Sequence, residues 1–500
     1  MSADELKALL ISHSDLTLAD DLSFSASELA LVLRLEEQPL VVTLERLSIG
    51  LGDLQSAEAD HFFLDNPVWT RPLIKLGGGR FFCALPQTFF SFIFAILDNL
   101  LAGNEPARAE YQRRRSDYLE TQVATLLSEA FPGCEISRGY KWSEDGTFYE
   151  NDVLVRVDSH LILVEAKSGS ISWPALRGAP DRARKHVEEL LLAPSAQSFR
   201  LARRIEEVIV SPDQAAQLLP DFPVGLTRVR TVLRLSVTLE DFAVLQSNLG
   251  MAKEAGWVSD PDHMLAPCLL LADLEIVMDI LEFTALKLHY LKRRSELQAN
   301  LRYHGDELDL LAFYLQTGFN IGELEFNGTR LELMAMSEIV DNYYTALAEG
   351  IRGKRPQPRL TEMWNDICAR LEERNFHQWS DVAMAILGVS YDNQQKLQQS
   401  FKKIRKNVLK NWREPKHNCS IILTPPPFRS DAFALYAFRE RDKEERRERM
   451  RDIAGQVFVS AHIKRCVILG VNIDRADYPY STVAVFFNGD PVDPVQQSAH

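Results

Sequence analysis

The chain has 500 residues, 46% of them hydrophobic and 25% charged, with a formal net charge of −14. That length accommodates two to four domains with sizeable cores, and the composition is ordinary for a globular protein. No apolar run reaches the roughly 18 residues of a membrane-spanning helix, and the start Met-Ser-Ala-Asp-Glu lacks the basic and apolar stretches of a secretory leader.

The six cysteines stand singly, with no CxxC pair, which argues against a disulfide framework and a zinc site and suits a reducing, cytoplasmic setting. Residues 1–105 are expected as an N-terminal α+β domain. Strand-like apolar runs occupy 40–44, 73–76 and 81–85, and an apolar helix is expected over 89–101. Gly77-Gly78-Gly79 reads as a hairpin turn. A phosphate loop would need Lys-Ser/Thr at the end of a longer glycine-bounded loop, and no such loop occurs in the chain.

A second segment is expected over 106–250. Tyr118, Leu119, Val123, Leu126 and Leu127 have helical spacing, a strand is expected near 134–142, and a hairpin over 151–167. If Asp158-Ser159 is a two-residue turn, Val157 lies opposite His160 and Asp152 opposite Glu165. Glu165 and Lys167 share a face because side chains alternate along a strand. Two carboxylates and an ammonium would then converge at one end of an apolar hairpin, an arrangement suited to holding a hard cation beside a phosphate. Pro180 suits the first turn of a helix or helix pair over 181–210, and a further strand is expected within 226–239.

Residues 260–415 are expected to be mainly helical, beginning with a long helix over 269–297 that ends at Lys292-Arg293-Arg294. Asp306-Glu307-x-Asp309 reads as a helix start. The segment 416–500 is expected as an α/β region, with a charged helix over 439–451 and strands at 465–470 and 483–487. The cluster Lys402, Lys403, Arg405, Lys406, Lys410 and Arg413 reads as a solvated helix face.

The order helix, strand, hairpin, basic helix, with Asp152 followed by Glu165-Ala166-Lys167, resembles the PD-(D/E)XK nuclease superfamily over roughly residues 110–210. Asn151 stands where the family often has proline. The resemblance implies a restriction-endonuclease-like three-layer core with a mixed sheet. It implies Asp152, Glu165 and the Ala166 carbonyl as ligands of Mg²⁺, with Mn²⁺ as a substitute, and Lys167 as the group that orients or deprotonates water. Glu120 takes the helix acid, binding a second metal or a metal-bound water, and Gln197 the glutamine of the following helix. Arg177, Arg200 and Arg204 are then expected to contact the nucleic-acid backbone.

The function expected from these residues is metal-dependent hydrolysis of DNA phosphodiester bonds, with a role in defence against foreign DNA resting on analogy with the family. The alternatives are a catalytically silent nucleic-acid-binding or scaffold protein on the same core, and a nuclease acting on RNA. DNA is the expected partner and no membrane is. A homodimer would serve two-strand cleavage. With no ATPase motif in the chain, any translocation requires a separate ATPase or activator chain.

Overall fold

A computed structural model describes residues 2–55, 66–144, 146–172, 175, 179–258, 260, 262–411, 419–475 and 479–489, and the backbone of 495–498. It is a mixed α/β structure with several sheets. Where four segments were expected, the chain forms two compact units, residues 1–117 with 168–187 and residues 118–167 with 188–500. One apolar core runs from Leu119 through the strands and later helices to Val483, so these segments bury surface against each other.

The first unit holds a four-stranded sheet in the order β1 (Ser23–Ser25), β4 (Arg80–Phe82), β3 (Leu73–Lys75), β2 (Ser48–Ile49). The glycine turn is as expected: β3 and β4 are antiparallel, and Gly78 and Gly79 take φ of 71° and 76°, which glycine adopts without strain. The run at 40–44 is not a strand. It lies in the helix Glu37–Arg46, where Pro39 fits the first turn and Leu40, Val41 and Leu44 share one packed face. The apolar segment 89–101 is two helices, Thr88–Ser91 and Ile93–Leu101, broken at Phe92.

The second unit is built on a five-stranded mixed sheet, β5 (Glu135–Glu144), β6 (Thr147–Val157), β7 (His160–Lys167), β8 (Thr231–Thr238) and β9 (Cys268–Leu270), in that order. β5, β6 and β7 pair antiparallel, and β7, β8 and β9 parallel. Alternation sorts the side chains. Val153, Val155, Ile162 and Val164 pack with Leu119, Val123 and Leu127 of the Glu105–Ala130 helix. Leu154, Leu161 and Leu163 pack with Leu201, Ile205 and Val208 of the Ala193–Val210 helix. Both faces of the hairpin are therefore covered, which explains its unbroken apolar runs.

The helix expected over 269–297 is a strand and two helices, β9, Leu271–Ile280 and Thr284–Asn300. Lys292-Arg293-Arg294 does not end it. Arg294 is fully buried inside the last helix and donates through Nε to Oε1 and through NH2 to Oε2 of Glu307, and Arg293 is buried against Glu325. Such a buried arginine is tolerable because its fork is matched by a carboxylate. Asp306 caps the Glu307–Thr317 helix as expected, in a capping box with Asp309.

Between β9 and the second sheet runs a small parallel pair, β10 (Arg302–His304) with β11 (Arg330–Glu332). The second large sheet orders β12 (Ser420–Leu423), β13 (Asp431–Phe438), β14 (Arg465–Asn472), β15 (Thr482–Phe487) and β16 (Val495–Ser498). The Arg446–Val457 helix covers one face through Met450, Ile453 and Val457. On the helix Tyr391–Asn411, Lys402, Lys403, Arg405, Lys406 and Lys410 are exposed while Phe401, Ile404 and Val408 are buried, the amphipathic pattern of a solvated face; Arg413 lies outside the described residues. No helix among the described residues is long and apolar enough to cross a membrane.

Candidate active site

The hairpin register is the expected one. Val157 pairs with His160 across the Asp158-Ser159 turn, and the ladder runs to Val153 opposite Val164. There the two strands part. One residue further, Asp152 Oδ2 accepts the Ala166 backbone N–H at 2.6 Å, and Asn151 Nδ2 donates to the Val164 carbonyl at 3.3 Å. Side chains of β6 thus replace the backbone groups that would have continued the ladder. They satisfy groups that would otherwise be orphaned in a buried place.

The split brings together the groups expected at this site. Lys167 Nζ lies 3.6 Å from Asp152 Oδ2 and 3.7 Å from Glu165 Oε2. The Glu165 side chain is 1% exposed, Asp152 13% and Lys167 29%, so the ammonium is the group nearest solvent. Glu165 Oε1 accepts from Asn151 Nδ2 at 2.8 Å and Oε2 from Gln197 Nε2 at 2.9 Å; Gln197 also donates to the Glu150 carbonyl. Gln197 comes from the Ala193–Val210 helix, which packs on the same face as Leu161 and Leu163.

Burial pushes the Glu165 carboxyl up to about 8, reinforced by the Asp152 charge and opposed by Lys167. Burial also raises Asp152, against the pull of Lys167 and the Ala166 N–H. One lysine does not compensate two buried carboxylates, and a divalent cation would. The donor set fits a hard cation: two carboxylates and the Ala166 carbonyl, which points to the same strand edge as its N–H. Asn151 Oδ1 beside them is buried without a partner. Among the described residues, no group of three or more His, Cys, Asp or Glu side chains stands where it could hold a metal ion. Mg²⁺ needs only one or two carboxylates, because it keeps several waters.

The other expected residues divide. Glu120 is not gathered into the carboxylate pair. Its Oε2 meets Arg138 NH2 at 3.3 Å, and its charge reaches Asp152 only as a minor influence. Arg204 turns inward, with Nε on Glu144 Oε1 at 3.1 Å and NH1 on the carbonyls of Ser143 and Leu218 at 2.8 and 3.2 Å. It ties the helix to the end of β5 instead of presenting its fork to a phosphate. Arg200 is exposed, 5.3 Å above the Tyr149 ring. Arg177 lies outside the described residues. The residue missed by sequence reasoning is Asn151. It stood out only as the non-proline before Asp152, yet it holds Glu165 and the parted strand together.

No family model matches the chain, and no curated protein matches it. Among solved structures, the crystal structure of protein VC1899 from Vibrio cholerae matches with a TM-score of 0.17 and 13% identity, over 49% of this chain and 46% of that one. The match spans about half of each chain, and a likeness at that score carries no argument about fold or function.

Proposed function

We propose that the second unit carries a PD-(D/E)XK, restriction-endonuclease-like core and that the protein is a metal-dependent nuclease hydrolysing DNA. The observation that carries this reading is the meeting of Asp152, Glu165 and Lys167 where β6 parts from β7, with Gln197 hydrogen-bonded to Glu165. A structural ion pair would not need two carboxylates, one of them held at about 8 by burial.

Asp152, Glu165 and the Ala166 carbonyl would hold Mg²⁺ or Mn²⁺. Such an ion, when bound, polarises a phosphate and acidifies a bound water. Lys167, the most exposed member, orients the attacking water and offsets negative charge developing on the phosphate. Gln197 and Asn151 fix the two oxygens of Glu165, so the carboxylate is oriented before any ligand arrives. Arg200 offers a cation to the nucleic-acid backbone on the same helix, one turn beyond Gln197. Defence against foreign DNA remains the role suggested by family analogy, and cytoplasmic action the expected setting.

The test is cleavage of plasmid and linear DNA by the purified protein with Mg²⁺, with Mn²⁺ or with EDTA, beside Lys167→Ala. Metal-dependent products that disappear in the variant are expected. Metal-independent DNA binding without products from either protein would favour the silent binding module instead.

A further inference from the structure

The second unit also contains a cavity of about 420 Å³ whose lining includes none of Asp152, Glu165 and Lys167. The helix Thr284–Asn300 supplies His289, Lys292 and Arg293 to its wall, the segment after Glu307–Thr317 supplies Glu325, and the loop between β12 and β13 supplies Arg429. Arg293 and Arg429 both donate to the same oxygen, Oε2 of Glu325, at 2.7 and 3.0 Å. Glu325 is fully buried, and its other oxygen, Oε1, has no hydrogen-bond partner. Asn320 Oδ1, His289 Nε2 and Arg293 Nε, on residues lining the same space, are likewise buried and unpartnered. Buried polar groups are nearly always satisfied, so their gathering around one cavity marks it as a place where a ligand's donors and acceptors belong.

The chemistry of the wall narrows the ligand. Glu325 Oε1 and Asn320 Oδ1 are both acceptors and ask for N–H donors. Lys292, whose nearest carboxylate oxygen is Glu296 Oε1 at 3.9 Å, and Arg429, bound through one nitrogen, ask for an anion. Phe326 and Phe428, with ring centroids 4.7 Å apart and planes tilted by 37°, line the same space with aromatic faces against which a planar ring can pack. Asp431 is paired with Arg465, so Lys292, Arg293 and Arg429 face two carboxylates, Glu296 and Glu325. That balance suits one small anion rather than a chain of phosphates. A free amino acid would match the charges but leave the phenyl wall and most of the volume unfilled.

We infer that this cavity binds a nucleoside monophosphate whose base carries an exocyclic amine, the amine on Glu325 Oε1 and Asn320 Oδ1 and the phosphate on Lys292 and Arg429. The site is separate from the nuclease reading and stands or falls without it.

Calorimetric titration of the full chain with AMP, CMP, GMP and UMP tests the assignment. At least one amine-bearing nucleotide is expected to bind, with UMP, whose base has no exocyclic amine, at least tenfold weaker. Lys292→Ala is expected to weaken that binding at least tenfold without lowering the thermal midpoint. Arg429→Gln, which keeps a polar side chain in place, is the second variant and is expected to weaken binding as much, with a lower thermal midpoint because the buried Glu325 loses a charged donor. Absence of binding by all four nucleotides, UMP binding as tightly as the rest, or full affinity in both folded variants would each overturn the proposal.

Discussion

The backbone N–H of Ala166 donates to the Asp152 carboxylate at 2.6 Å, one step beyond the last ladder pair of the hairpin. A side-chain oxygen therefore sits where a strand carbonyl would otherwise continue the sheet. The carboxylate has two tasks, holding the parted strand and offering charge beside Glu165 and Lys167. Asp152→Asn separates them, because the amide oxygen still accepts from Ala166 while the charge is gone. Asp152→Asn and Lys167→Ala are each expected to lower metal-dependent cleavage by about 10²–10⁴-fold, the usual worth of a positioned acid–base or charge-stabilising group. Both should melt within a few degrees of the parent. A plasmid-nicking time course beside a melting curve reads both, and parental cleavage by Lys167→Ala would remove the lysine from the mechanism.

Glu165 makes the opposite separation of stability from activity. Its carboxyl is buried, neighbours another carboxylate, and is held above its ordinary range. A neutral side chain of the same shape removes the cost of burying that charge. Glu165→Gln is therefore expected to lose cleavage while keeping metal-free stability at pH 7, where the native carboxyl is already protonated, and raising it by about 1 kcal/mol at pH well above 8, where that carboxyl is charged. Urea unfolding in EDTA measures the second half. A variant that unfolds more readily would mean that the ion pair with Lys167 stabilises the fold.

Two arginines one turn apart should behave differently in DNA binding. Arg200 is exposed, whereas Arg204 is bound to Glu144 and two carbonyls. Arg200→Ala is expected to weaken binding to DNA of any sequence and to reduce the slope of log affinity against log salt by about 1. Arg204→Ala should leave that slope alone and lower stability by about 1–3 kcal/mol through its unpaired partners. Fluorescence anisotropy at several salt concentrations distinguishes them, and an equal loss of slope in both would place both forks on phosphate.

The hairpin was legible because its information is local. Period-two alternation and a two-residue turn determine which residues oppose one another, so Asp152, Glu165 and Lys167 follow from counting. Gln197 was legible because its helix follows the hairpin in order. What could not be read was the partner of each charge. Glu120 meets Arg138 and Arg204 meets Glu144, contacts made only once the sheet is assembled. The same holds for Arg293 and Arg294, whose run of basic residues resembles a helix end until Glu325 and Glu307 arrive from later in the chain. The run 40–44 misled because β-branched residues favour strands only in the absence of a better helical packing face.

The turn of the same hairpin carries a pH-sensitive joint. Asp158 accepts from the backbone N–H groups of Gln378 and Ser380, each at 3.0 Å, and from Ser380 Oγ at 2.7 Å, at the start of the Trp379–Leu387 helix. His160 Nδ1 lies 2.9 Å from the same Ser380 Oγ. The imidazole is buried, and burial, opposed by the charges of Asp381 and Asp158 and helped by Lys292 and Arg465, holds it down at about 4. An unfolded histidine takes its proton near pH 6.5. Between those values the unfolded chain binds more protons than the folded one, so stability rises with pH across that window. The contribution is complete above about pH 6.5 and is lost as pH falls toward 4, amounting to at most about 3 kcal/mol. His160→Gln removes the titration while keeping a polar side chain beside Ser380. Urea midpoints at pH 7.5, 6, 5 and 4.5 are expected to fall more steeply for the parent than for the variant. Parallel curves would mean that the protonated imidazole is accommodated in the folded turn.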